Sequence, residues 1–250
     1  MKIGIISAMY EEFDRLLQAV EVEKKTALGM REYIEGRLFG REVVLVFSQW
    51  GKTAAASTTA NLINVFAADL VVFTGVAGGL DSRARVGDIV VAERLYHHDV
   101  DASPFKPRYF VPLVGPDGIP TDSRTSDLLA EAARHFAAHI GEYIAREDVE
   151  EFALQNVLVH RKNIATGDQF VKTASVKERI VSDLPDMFAV EMEGAAVAQV
   201  CWEHGMPFAV MRTISDTADG DSPRDYPKFL ARVASTYSFY IVKEFLDRLP

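Results

Sequence analysis

The stretch Phe188 to Asp219, FAVEMEGAAVAQVCWEHGMPFAVMRTISDTAD, constrains the fold most, because two apolar segments of strand length flank a helix of small residues. Phe208 to Ile214 is apolar except for Arg212, the pattern of a buried strand in a parallel sheet. Ala189 to Met192 also reads as extended, which puts Glu191 and Glu193 on one face and Val190 and Met192 on the other. Between the two, Gly194, Ala195, Ala196, Ala198, Val200 and Trp202 suit a helix lying close on a sheet, and Gly205 followed by Pro207 stops it. In open α/β sheets ligands bind beyond the carboxyl ends of the strands, so Glu193 and Asp216, read as just past its strand, face one crevice. Each acid also has an ordinary reading. Acids at a helix start gain about 0.3–1 kcal/mol from the helix dipole, and Asp216 can be an N-cap, although TADGDSPRD is a poor helix start. Pattern alone leaves both readings open.

The rest of the chain repeats the theme of short apolar runs ending in polar or glycine-rich turns. Lys2 to Ser7 reads as a central strand that arrives at Ala8-Met9 and the acids Glu11 and Glu12. Phe13, Leu16, Leu17 and Val20 then give one buried helical face. Arg31 to Leu38 and Glu42 to Ser48 form a hairpin about Phe39-Gly40-Arg41, and Gly51-Lys52 opens an alanine- and threonine-rich helix through Phe66. Asp69 to Phe73 is another buried strand, ending in the turn Thr74-Gly75-Val76-Ala77-Gly78-Gly79, which matches neither G-x-G-x-x-G nor G-x-x-x-x-G-K-[ST]. A close approach of a small ligand and a purely structural turn are equally open there.

Gly87 to Arg94 is a further strand. The adjacent His97 and His98 lack a downstream partner set of metal-site spacing. Prolines punctuate an irregular segment, taken as 96–124, that reads as a lid or a subunit contact, with an ordered surface loop as the plain alternative. Ser126 to Ile140 is an amphipathic helix, 141–155 a charge-rich surface insertion without motif meaning, and Val157 to Ala165 a strand leading into Thr166 to Val171. From Tyr226 to Leu249, Phe229, Val233, Tyr237, Ile241 and Phe245 follow helical spacing and read as core. No repeat or linker divides the chain, so one α/β domain is the simplest account.

Composition narrows the partners. A net charge of -9 argues against nucleic acid and against an anionic membrane surface. No segment reaches the ~18–20 apolar residues of a membrane span and KIGIISAM lacks a signal-peptide core, so a soluble, unprocessed, cytoplasmic protein is expected. The single cysteine, Cys201, reads as a small buried hydrophobe in a reducing compartment.

Five segments in order, KIGIISAMYEE, VFTGVAGGLDSRARVGDIVV, ATGDQFV, VEMEGAAVAQV and MRTISDTAD, span nearly the whole chain and resemble the nucleoside phosphorylase/nucleosidase superfamily. Within it they are most similar to the methylthioadenosine/S-adenosylhomocysteine nucleosidase family. The resemblance implies one three-layer α/β domain over 1–250 around a twisted mixed sheet, a homodimer, and no metal or organic cofactor. It implies hydrolysis of the bond between adenine and ribose in 5′-thio-substituted adenosines, in methionine salvage. Carried over by motif, Asp216 is the general acid at purine N7, Glu12 the base for water, and Thr74 and Arg212 help to position that water. Glu193 accepts from the ribose hydroxyls, Met192 packs on the ribose, Phe170 on the adenine, and the Val171 backbone meets the purine edge. Ala8, Met9, Gly75, Glu191 and Ser215 complete the substrate contacts. Phe105 and Pro112 match positions by which a partner subunit closes the 5′ pocket, and Trp50 and Tyr226 depart from the family pattern at its wall. Which 5′ substituent is preferred stays open, futalosine included. A phosphorylase of the superfamily is the alternative, but the places of its phosphate-binding arginines hold Ser7-Ala8-Met9 and Val71-Val72-Phe73. A non-catalytic purine-binding relative is the other.

Overall fold

The computed structural model describes residues 1–219 and 222–250. Its strands are β1 (Lys2–Ser7), β2 (Glu21–Leu28), β3 (Arg31–Leu38), β4 (Arg41–Phe47), β5 (Leu70–Phe73), β6 (Val76–Gly79), β7 (Ile89–His97), β8 (Ile119–Pro120), β9 (Val159–Thr166), β10 (Met187–Glu191) and β11 (Phe208–Asp216). The α-helices are α1 (Asp14–Ala19), α2 (Lys52–Asn64), α3 (Ser123–Ala138), α4 (Ile140–Tyr143), α5 (Arg146–Glu151), α6 (Ala174–Asp183), α7 (Gly194–Glu203), α8 (Ser222–Phe229) and α9 (Ser235–Arg248). A π-helical turn, Leu230–Ala234, joins the last two.

All strands belong to one mixed sheet, ordered β2-β3-β4-β1-β5-β11-β6-β10-β9-β7-β8. β1 lies between β4 and β5, parallel to both, and is buried from Ile3 to Ser7, as its unalternating apolar run requires. Side chains alternate between two cores: Val43 and Leu45 of β4 point to one, Val44 and Val46 to the other. Leu129, Phe136, Tyr237, Ile241 and Phe245 of α3 and α9 cover the first core; Ala55 and Leu62 of α2 and Ala195 and Ala198 of α7 cover the second. The result is the expected three-layer α/β arrangement.

β11 is where the sheet divides. Its first residues, Phe208 to Val210, pair parallel with β5; Met211 to Thr213 then pair antiparallel with β7, and Thr213 to Asp216 pair parallel with β6. Because β6, β10, β9 and β7 also pair in succession, this half of the sheet curls back onto β11 as a small closed ring. The site therefore lies at a split in a curled sheet and not beyond an open one.

Several expectations change. Residues 76–79 are a strand and not part of a turn: a Cβ on Gly78 would sit 2.9 Å from Ala218 Cβ, and one on Gly79 2.9 Å from Ala84 Cβ, so the glycines permit close approach of neighbouring chain. Asp216 is the last residue of β11 and not beyond it. β2 was not expected because its charged sequence has no buried face, which suits an edge strand; α6 was not expected either. The helix after Glu12 spans only Asp14–Ala19, with Phe13 and Val20 buried at its ends. The 141–155 segment contains α5 and buries Ile144 and Leu154 in the core, so it is no loose insertion. The irregular loop is narrower than 96–124, since β7 runs to His97 and α3 starts at Ser123 with Asp122 accepting from the Thr125 amide at 2.8 Å. The TADGDSPRD stretch carries the start of α8, while its Gly220 and Asp221 lie outside the described residues. Among the described residues no helix is long and apolar enough to cross a membrane.

Candidate active site

The carboxyl ends of β1, β10 and β11 converge on one cavity of about 340 Å³. β1 delivers Ala8, Met9 and Glu12 through a single 3-10 turn, β10 delivers Val190 to Glu193, and β11 delivers Ser215 and Asp216. Trp50, Val76, Ala77, Gly78, Phe170 and Tyr226 complete a largely apolar wall. That size and lining suit a small organic molecule with few polar anchors.

Glu12 is held from three directions. Its Oε2 accepts from the Ser7 hydroxyl at 2.5 Å and the Met9 amide at 3.0 Å, and its Oε1 accepts from the Val76 amide at 3.0 Å. A Cβ on Gly75 would lie 2.9 Å from that Oε1, so the missing side chain lets the carboxylate approach the β5–β6 connection. Burial pushes the carboxyl above the ordinary glutamate range; the Ser7 hydroxyl, the Arg212 charge and the two amides pull the other way.

Glu191 and Glu193 do not share a face as extended alternation predicts, because β10 ends at Glu191 and Glu193 is the N-cap of α7. Glu191 turns into the protein. Its carboxylate accepts from the Glu193 and Gly194 amides at 3.1 and 2.7 Å, from the Thr166 hydroxyl, and from Arg212 Nη2 at 2.7 Å. It therefore caps α7 and neutralises a guanidinium that is 1% exposed. Glu193 accepts from the Gly51 amide at 2.8 Å. Burial, then the neighbouring Glu191, push its carboxyl up to about 8, against the Gly51 amide and Arg212.

Asp216 closes the opposite side. Its Oδ1 accepts from the Ala218 amide at 2.9 Å and its Oδ2 from the Ser215 hydroxyl at 2.8 Å. Gly78 leaves the space: a Cβ there would be 3.1 Å from Asp216 Oδ1. Phe170 and Tyr226 meet edge to face at 5.6 Å, and the Tyr226 hydroxyl points at Met9 Sδ, 2.7 Å away. Trp50, 67% exposed, forms the rim.

Of the residues singled out in the sequence, two positions expected to act on water are not on the cavity wall. Thr74 is buried with its hydroxyl 3.0 Å from Ser238 Oγ, and Arg212 lies over the Phe73 ring and bonds Glu191, so both sit behind the carboxylates. Gly75 underlies Glu12, and Val171 lines a small side pocket of about 30 Å³ that shares Phe170, Val190 and Asp216 with the main one. Phe105 and Pro112 lie far out on the loop, Phe105 89% exposed, and neither lines this chain's cavity. Sequence reasoning missed Ser7, Gly51 and Thr166 as supports of the three glutamates: Gly51 and Thr166 lie 142 and 25 residues from the acids they hold, and Ser7, five residues from Glu12, belongs to no pattern that marks such a bond. Among the described residues no group of three or more His, Cys, Asp or Glu is placed to hold a metal ion.

A mixed sheet with a carboxylate-lined, nucleoside-sized cavity at its split defines a class, and the family model that matches residues 2–247 is that of the Phosphorylase superfamily. The 5′-methylthioadenosine/S-adenosylhomocysteine nucleosidases of Shewanella halifaxensis and Shewanella baltica are 34% and 36% identical, over 100% of this chain and 100% and 98% of theirs. The crystal structure of the Neisseria meningitidis enzyme of that name, in complex with methylthio-immucillin-A, superposes with a TM-score of 0.87 at 33% identity over 99% of each chain. The futalosine hydrolase of Helicobacter pylori gives 0.85 at 34% identity over 100% of this chain and 98% of that one. The chain belongs to the Phosphorylase superfamily and, within it, to the 5′-methylthioadenosine/S-adenosylhomocysteine nucleosidase family, a family of hydrolases.

Proposed function

We propose that this protein hydrolyses the N-glycosidic bond of 5′-thio-substituted adenosines, releasing adenine and the thioribose. The observation that carries the reading is the meeting of Glu12, Glu193 and Asp216, from three separate segments, around one apolar cavity of about 340 Å³. Departure of a purine from ribose passes through an oxocarbenium-like state, which needs a proton for the base, a water for the anomeric carbon and negative charge near the sugar. In this reading Asp216 serves N7 as general acid, Glu12 takes the proton of the attacking water, and Glu193 accepts from the ribose hydroxyls. Met192 and Phe170 pack on sugar and base, and Ala8, Met9, Trp50 and Tyr226 surround the 5′ substituent.

Hydrolysis is favoured over phosphorolysis because no lysine or arginine lines the cavity among the described residues, and Arg212 is already paired with Glu191. Futalosine is kept as a second substrate on the likeness to the Helicobacter pylori hydrolase. We also infer that the protein is a homodimer in which the loop bearing Phe105 and Pro112 closes the partner's site; the exposure of Phe105 and Leu113, 89% and 85%, supports it. The test is release of the free base, adenine from 5′-methylthioadenosine, S-adenosylhomocysteine and 5′-deoxyadenosine and hypoxanthine from futalosine, with and without phosphate. Phosphate-independent release of adenine from the thioadenosines is expected; a requirement for phosphate, or no release from any of the four, refutes the reading.

A further inference from the structure

Ser7 ends β1 with no exposed surface, and its hydroxyl has two acceptors within reach, Glu12 Oε2 at 2.5 Å and the Met9 carbonyl at 3.2 Å. It is the one side chain among the three donors that grip Glu12, the others being the Met9 and Val76 amides. That difference has a chemical consequence. An amide N–H can only donate, whereas a hydroxyl offers one donor and two acceptor lone pairs. When Glu12 is ionised, Ser7 donates to Oε2. When Oε2 carries a proton, the carboxyl donates to Ser7 Oγ and the serine's own hydrogen turns to the Met9 carbonyl. No proton passes through Ser7; only its O–H rotates.

We infer that Ser7 is a positioning residue for Glu12, holding the base in one orientation through both of its protonation states. The inference rests on the reading of Glu12 as the base for water. A general base takes a proton during turnover and returns it afterwards, and a buried carboxyl gripped by amides alone would leave its O–H without a partner in the protonated state. The other groups facing Glu12 cannot fill the role. Arg212, from β11, acts on it only through charge. Glu193, at the start of α7, and Tyr226, on α8, both feel the Glu12 charge across the cavity.

The sign of the effect on pH follows from the geometry. Ser7 bonds both forms, but its bond to the ionised carboxylate is the stronger; without the hydroxyl Glu12 keeps its proton to higher pH, and the acid limb of the activity profile moves up. The experiment is the pH dependence of kcat/KM for adenine release from 5′-methylthioadenosine in the wild type, Ser7→Ala, Ser7→Cys and Glu12→Gln, with adenine binding by calorimetry to verify that each site is formed. In Ser7→Ala the acid limb is expected to move up by about one pH unit, the margin by which a hydrogen bond to a charged group exceeds one to a neutral group, with KM unchanged. Ser7→Cys keeps a donor at the position, weaker and somewhat bulkier than the hydroxyl, and is expected to lie between. If Glu12→Gln is inactive while both Ser7 variants bind adenine and keep the wild-type limb, the inference falls and the reading of Glu12 stands. If Glu12→Gln turns over at the wild-type rate, the base has been misassigned and the inference falls with it.

Discussion

Glu193 sits within reach of two other carboxylates in a dry corner of the cavity, and this fixes how it links pH to stability. Its carboxyl is pushed up to about 8 in the folded protein, from an ordinary value of 4.5. The native state therefore holds this proton more tightly than the unfolded chain does. The corresponding stabilisation is complete below 4.5 and is lost as pH rises toward 8. Glu193→Gln removes the loss, so the variant is expected to melt above the wild type at pH 8, by at least roughly the 2–4 °C that 1 kcal/mol produces in a chain of this length, and near the wild type at pH 4.5. Thermal unfolding across that range checks it. Asp216→Asn is expected to lower kcat by about 10²–10⁴, the usual worth of general acid catalysis, in the adenine-release assay. Sequence patterns marked both acids; they could not show that the Gly51 amide binds Glu193, because no local rule relates positions 142 residues apart.

At the scale of elements, one buried cluster ties three strands to a helix. Arg212 of β11 bonds Glu191 at the end of β10, Glu191 caps α7, and Thr166 at the end of β9 bonds both Glu191 and the Ala195 amide. Removing the guanidinium leaves Glu191 buried and unpaired, so Arg212→Met is expected to cost about 3–5 kcal/mol in denaturant unfolding, with a loss of activity that follows the displacement of Glu193. Gly75 tests the other side of the site. In Gly75→Ala the added methyl meets Glu12 Oε1 at 2.9 Å, and kcat is expected to fall by about 10², the scale of a 1 Å misplacement. Local pattern showed β1, β5 and β11 as continuous apolar runs and α2 and α7 as helices of small residues. It missed β2, whose charges carry no such pattern, and read β6 as a turn because glycines that admit a neighbouring strand look like glycines that admit a bend.

For the whole molecule, the loop at 98–118 holds two large apolar side chains, Phe105 and Leu113, out in solvent. Light scattering is expected to give the mass of a dimer, and Phe105→Ala to raise KM for 5′-methylthioadenosine by about tenfold, with kcat retained, as loss of uniform binding does. A monomer with unimpaired KM in the variant contradicts both. Ordered motifs over nearly the whole chain, and the burial pattern of short apolar runs, were enough to determine the layered α/β class and the family and to single out three acids that line one cavity, because both kinds of signal are local. The sequence could not decide that Glu191 turns inward while Glu193 faces the cavity, that Thr74 and Arg212 stand behind the carboxylates, or that Ser7 grips Glu12. The first two outcomes depend on where β11 leaves β5 and joins the ring of β6 and β7, a register set by the packing of all strands at once, and the third on the 3-10 turn that folds Glu12 back onto the end of β1.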